Sequence, residues 1–246
     1  MDQPILADDE IAALERDTVV AVAPRETLEI GGWLVPLDSG PIGRAKSAVP
    51  LRHDIGPDAI GEIIAAYHDQ GLPPRFRIAD VPGLSAVTAE LTRRGLAPEQ
   101  PTIFKIGSTA AMARLSDGPA MLLSEASDGW AAVFLGDGFD AAEGAQRVAA
   151  LSRSPDAIYG AAGEGADIQA VGVMSFGAVW AGVHGMRTAP AHRGKGLASR
   201  ILATLGAAAQ ARNVDRVALQ VEEANPARRI YRAAGFTQVW RYRYWR

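Results

Sequence analysis

Hydrophobic and polar positions alternate with two different periods along this chain, and the places where the period changes mark its elements. In the second half, apolar and β-branched runs at residues 157–162, 168–176 and 179–188 predict three strands, with turns at residues 163–165 and at Gly177. A helical repeat then begins at Leu197 and continues through Ile201, Leu202 and Leu205, predicting a helix over 195–212 that stops at Asn213. Residues 216–221 form a strand. Asn225 followed by Pro226 makes an N-cap and first-turn pair for a helix that runs to Ala234 and ends at Gly235. Residues 237–245 form the last strand, with the aromatic residues of its tail on one face and its arginines on the other. Upstream lie a strand at 120–124 and helices at 130–135 and 141–151.

The first half gives a similar series. Ile11 and Leu14 mark a short helix, and residues 18–23, 27–36 and 44–50 are expected as strands. Asp58 is placed to cap a helix carrying Ile60, Ile63, Ile64 and Tyr67 that ends near Gly71. A strand at 75–78, a helix at 85–94 stopped by Gly95 and a strand at 102–106 follow. Small and polar residues at 108–119 divide the chain, and both halves finish strand, helix, strand, helix, strand. We therefore expect an α/β chain with a mixed sheet, made of two related modules at residues 1–112 and 113–246. In the first, residues 51–57 lack the glycine-rich turn of the second.

The composition, 48% hydrophobic and 22% charged, is that of an ordinary globular protein. A net charge of −3 gives no reason to expect a polyanion partner, so nucleic acid is an unfavoured one. The absence of cysteine excludes disulfides, thiolate metal sites and a cysteine nucleophile. His53, His68 and His192 lack metal-ligand spacing, and no metal is expected. The acidic start is unlike a signal peptide, and no apolar run approaches the ~18 residues of a membrane helix. A cytoplasmic protein without a membrane partner is expected.

Residues 186–198 carry the chemistry. A strand ends before Pro190, glycines and positive charges crowd the turn, and a helix starts at once. Backbone N–H groups in a helix's first turn lack intrahelical acceptors and favour an anion, and Gly194 and Gly196 allow its close approach. The segment Gly40 to Ser47 is a near miss for a nucleotide-binding P-loop: Ala45 stands where that loop needs glycine, and Pro50 opposes the helix that should follow. Arg44, Lys46 and Ser47 are expected on a strand instead.

Arg193, Gly196 and Ala198 fill the Arg/Gln-X-X-Gly-X-Gly/Ala signature of the Gcn5-related N-acetyltransferases (GNAT), which the sequence resembles. Residues 219–221 resemble that family's next strand, and Asn225 to Phe236 its Asn…Ala…Tyr…Gly-Phe helix. The resemblance covers residues 120–246 and implies the GNAT fold, with acetyl-coenzyme A as cosubstrate and an amine acceptor, either a small molecule or a protein N-terminus or lysine. A homodimer is an open expectation.

The resemblance also assigns roles. The backbone of Met186, Arg187 and Thr188 would lie along the pantetheine arm beside a splay in the sheet. Arg193, Gly194, Lys195, Gly196, Leu197, Ala198 and Ser199 would hold the pyrophosphate. Asn225 would order the arm, and Tyr231 would protonate the leaving thiolate. The chain departs from the family pattern in two ways. Asn225 stands one position closer to Tyr231 than is usual, and Gln220 stands where several members carry a glutamate base. Water, Glu222 and His184 remain candidates for the base. A non-catalytic acyl-coenzyme A-binding or partner-regulating module is the alternative to an enzyme.

Overall fold

The computed structural model describes residues 4–138, 140–164 and 167–246. Its elements are, in order, α1 (Asp8–Val20), β1 (Glu26–Ile30), β2 (Trp33–Leu37), β3 (Val49–Pro50), α2 (Ile60–Asp69), β4 (Phe76–Ala79), α3 (Ser85–Arg93), β5 (Pro98–Ser108), α4 (Thr109–Ala113), β6 (Met121–Leu123), α5 (Asp128–Leu135), α6 (Ala141–Ser152), β7 (Ala157–Glu164), β8 (Asp167–Phe176), β9 (Ala181–Thr188), α7 (Leu197–Ala211), β10 (Arg216–Glu222), α8 (Arg228–Ala233) and β11 (Thr237–Trp245). The expected turn at 163–165 ends on Gly165, which lies outside the described residues.

The mixed α/β architecture is as expected. Eight strands form one sheet in the order β4-β11-β5-β10-β9-β8-β7-β6, and β1-β2-β3 form a second. In the large sheet β9 and β10 run parallel, while the other neighbours are antiparallel. α7 packs on one face through Leu197, Ile201, Leu202 and Leu205, all buried.

The middle of the large sheet joins the two halves of the chain. β5, from the first half, lies between β10 and β11 of the second, and β11 lies between β4 and β5. The arrangement is close to two-fold: β4-β11 on one side matches β10-β5 on the other. The isolated parallel bridge Ala48↔Phe76 matches the parallel β9–β10 pair. The division expected at 112/113 falls inside α4. That helix docks on α7 where a Cβ on Gly206 would lie 2.7 Å from the Ala113 nitrogen.

Several expected elements are corrected. Residues 18–20 end α1 instead of opening a strand, because Ile11, Leu14, Glu15 and Thr18 share one buried helical face. Glu15 is buried there because it meets Arg77 of β4 at 2.6 Å. Residues 27–36 are a hairpin turning at Gly31-Gly32, a two-residue turn of the type such dipeptides favour. Residues 43–46 form a 3₁₀ turn, so only Val49–Pro50 remain as strand. Ala59, not Asp58, precedes α2. α7 begins at Leu197 and α8 at Arg228, each two residues later than expected.

Candidate active site

β9 is the strand on which the site is built. Its register against β8 slips, with Val171 opposite Arg187 but Val173 opposite His184. Gly185 and Met186 thus share the single partner position of Gly172, which makes a β-bulge. Gly185 adopts φ +61°, a left-handed value that side chains other than glycine's rarely tolerate. On its other edge β9 pairs with β10 over only three positions, ending at Leu219↔Val183. Beyond Val183 the strands diverge, and the β10-facing edge of β9 has no strand partner among the described residues.

This wedge leads to the glycine turn. Gly194 and Gly196 have φ +80° and +78°, and a Cβ on either would meet nothing within 4 Å. Arg200 N–H is bonded to the Gly196 carbonyl at 3.2 Å. The N–H groups of Leu197, Ala198 and Ser199, one turn earlier, therefore lack intrahelical acceptors. Turn and wedge together form a cleft of about 760 Å³. A long ligand with a polyanionic end fits these features: open space at the glycines, free N–H groups at a helix start and an unpaired strand edge.

Across the cleft stand β10 and α8. The Asn225 side-chain oxygen accepts from Ala227 N–H at 2.9 Å, and Asn225 N–H donates to the Glu222 carbonyl at 3.0 Å, so Asn225 secures the turn that leads into α8. Tyr231 is buried and packs edge-on to Phe236 at 6.2 Å. Burial pushes its phenol up to about 12. Glu222 is exposed at the end of β10 and accepts from Gln100 Nε2 at 2.7 Å.

Beyond Tyr231 a second cavity of about 700 Å³ opens. Met186, Arg187, Glu222, Asn225 and Tyr231 line both spaces, so the two meet there. His184 lines the second. Its Nε2 lies 3.0 Å from Ser175 Oγ, while Nδ1 is buried without a hydrogen-bond partner. Burial, helped by Arg44, pushes the imidazole down to about 3. The Gln220 side chain accepts from Arg44 Nη1 and donates to Thr18 Oγ1 at 3.2 Å.

A family model described as "probable histone acetyltransferase Rv0428c C-terminal" matches residues 8–245. The chain belongs to this family of GNAT acetyltransferases. Among solved structures, it is similar to a GCN5-related N-acetyltransferase from Kribbella flavida, at 16% identity and a TM-score of 0.73, over 98% of this chain and 95% of that one. It is also similar to a tandem GNAT protein from the clavulanic acid biosynthesis pathway, at 16% identity and a TM-score of 0.61, over 98% and 96% of the two chains. A GNAT-family acetyltransferase from Novosphingobium aromaticivorans matches at 17% identity and a TM-score of 0.58, over 95% and 97%. At these identities the likeness is one of fold. No curated protein matches the chain.

Within this GNAT chain the sequence-derived residues do not all face the cleft. Met186, Arg187, Thr188, Arg193, Gly194, Gly196, Leu197, Ala198, Ser199 and Asn225 line it. Lys195 does not: its ammonium lies 3.7 Å from Glu164 and 3.4 Å from His192 Nδ1. The Arg187 guanidinium donates to the carbonyls of Val133 and Asp137, both at 2.6 Å, and so ties the end of α5 to β9. Sequence reasoning missed Gly185, although a lone glycine in a strand pattern signals a bulge. It also missed that Arg44, Lys46 and Arg75 of the first half face the site. Nothing local in the sequence could reveal that, because the sheet crossover brings them there.

Proposed function

We propose that this GNAT acetyltransferase transfers the acetyl group of acetyl-coenzyme A to a primary amine. The observation that carries the reading is the junction of the two spaces at Met186, Arg187, Glu222, Asn225 and Tyr231. In this reading the donor lies in the β9–β10 wedge with its pyrophosphate at residues 193–199, and the acceptor enters from the second cavity. Acetyl-coenzyme A supplies an activated thioester.

The chain's residues supply position and protons. The amine first loses a proton to water or to Glu222. His184 is a poor base, because burial keeps its imidazole so weakly basic. The amine nitrogen then bonds to the thioester carbonyl carbon while the carbon–sulfur bond breaks, and the nitrogen releases its surplus proton to water to leave a neutral amide. A backbone N–H on the unpaired edge near Met186 stabilises the charge on the carbonyl oxygen. Tyr231, kept protonated at neutral pH by burial, gives its proton to the departing sulfur and recovers one from solvent. No helix of the described residues is long and apolar enough to cross a membrane.

We also propose that residues 1–112 descend from the same module as residues 113–246. The near-two-fold exchange of β5 and β11 supports this, as does the parallel Ala48↔Phe76 bridge.

Titration calorimetry with acetyl-coenzyme A tests the donor, and free-thiol release tests transfer. Tyr231→Phe should lower turnover about 100-fold or more, the usual worth of a positioned proton donor, with donor affinity nearly unchanged. Absence of binding at millimolar donor would refute the reading. Binding without thiol release to any amine would favour the alternative of an acyl-coenzyme A-binding module. That alternative draws on Gln220, whose side chain is already committed to Arg44 and Thr18.

A further inference from the structure

The second cavity has a strong charge of its own. Arg44 and Lys46 enter it from the 3₁₀ turn of the glycine-rich segment that resembles no complete P-loop, and Arg75 enters from just before β4. Glu99 and Glu222 are the carboxylates of its wall. Glu99 is held by Arg246 at 2.6 Å, and Glu222 by Gln100. Among the described residues no carboxylate forms an ion pair with Arg44, Lys46 or Arg75. Arg44 donates to the neutral Gln220, and Lys46 donates to the Gly40 carbonyl at 2.6 Å. Arg75 Nε is buried with no hydrogen-bond partner. Burial and then the nearby Arg75 pull the Lys46 ammonium down, Asp38 opposes this, and Arg147 and Arg246 add to it.

Such a group of cations is costly to hold together in a half-enclosed space unless an anion completes it. Its donors are of the kind that grip carboxylate or phosphate oxygens, Arg through paired N–H groups and Lys as a point charge. The cavity also opens onto Tyr231 and Glu222, where the reading above puts the reacting amine.

We propose that the acceptor is a small primary amine bearing an anionic group, a carboxylate or a phosphate, which Arg44, Lys46 and Arg75 hold while its amine reaches Tyr231. The inference rests on the acetyltransferase reading and narrows its substrate class. The same positive field assists the chemistry, since an ammonium beside guanidinium groups loses its proton more readily. It works against a peptide rich in lysine and arginine, whose flanking charges meet like charges in the cavity.

The test compares acceptors by free-thiol release with saturating acetyl-coenzyme A. One arm uses 2-aminoethyl phosphate against ethanolamine, a second uses glutamate and glycine against their amides, and a third uses a lysine-rich peptide. At least one anionic amine should exceed its uncharged match tenfold or more in kcat/KM and exceed the peptide as well. The arm in which this occurs tells phosphate from carboxylate. Arg75→Gln should raise KM for that amine about tenfold while calorimetry shows donor affinity unchanged, and Lys46→Gln should do the same should Arg75→Gln fail to fold. The inference is overturned if the donor binds and turns over but the uncharged amines or the peptide are preferred, or if both variants leave the preference intact. Failure of the donor to bind would instead bring down the acetyltransferase reading itself.

Discussion

Burial acts on two residues of the site in opposite directions, because their charged forms have opposite relations to the proton. Tyr231 is pushed up to about 12 and stays a neutral acid, while His184 is pushed down to about 3 and stays a neutral imidazole. For His184 this has a consequence for stability. Its unfolded-state value is near 6.5, so below that pH the unfolded chain takes up a proton that the folded chain refuses. Stability is fully present above pH 6.5 and falls as the pH drops toward about 3, at roughly 1.4 kcal/mol per pH unit once the unfolded histidine is protonated. Denaturant titrations between pH 6.5 and 5 should show His184→Gln with a shallower slope than the parent chain by about that amount. His53, also pulled down chiefly by burial, keeps its own contribution in both proteins and cancels in the difference. Equal slopes would mean that His184 titrates normally in the folded state. The sequence places both residues in their elements, His184 on a strand and Tyr231 on a helix, but not the depth of burial that fixes their protonation.

At the scale of elements, the bulge at Gly185 decides whether the wedge exists. A straight β9 would continue its pairing with β10 and close the edge now left open. Replacing Gly185 by alanine puts a side chain at φ +61° and sets its Cβ 3.0 Å from Leu151 Cδ1. The left-handed backbone alone costs roughly 1–2 kcal/mol, about 2–8 °C in melting temperature for a chain of this size. If the strand relaxes by straightening, affinity for acetyl-coenzyme A should fall about tenfold or more. Thermal melts and calorimetry on the same preparation separate the two effects, and an unchanged affinity would mean that the bulge does not shape the cleft. The elements around the cleft were legible because hydrophobic period, glycine turn and helix start agree there: β7, β8, β9, α7 and β10 fall within a few residues of their expected places. Reading was poorer where a polar residue is buried through a distant partner. The α1 face broke at Glu15 and Thr18, whose partners Arg77 and Gln220 are far along the chain. Arg44–Pro50 failed similarly. A Cβ on Gly43 would lie 2.8 Å from Tyr244 Cζ, so the turn there is fitted to the last strand and not to its own neighbours.

For the whole molecule, the exchange of β5 and β11 makes each half incomplete without the other. In a fragment of residues 113–246, β10 and β11 would lose the strand between them, and with it Ile103 and Phe104, which are 1% and 0% exposed. Burying two such side chains is worth roughly 3–6 kcal/mol, a large fraction of the 5–15 kcal/mol that holds a typical domain together. The fragment would also leave unpaired the β5-facing edge of β10 and both edges of β11, which loses β4 as well as β5, and such edges are a template for aggregation. It should therefore be insoluble or lack cooperative unfolding when made alone, while co-production with residues 1–112 should return a soluble complex with the melting behaviour of the intact chain. A soluble 113–246 fragment that binds acetyl-coenzyme A as tightly as the whole chain would show that the halves fold independently. The sequence suggested two similar halves, and that similarity hides their dependence: local patterns describe β5 and β11 as closing strands equally well whichever sheet position they fill. The exchange also brings the cations of the first half to the site of the second. Loss of residues 1–112 should thus remove the acceptor cavity's Arg44, Lys46 and Arg75 along with the strand that supports β10.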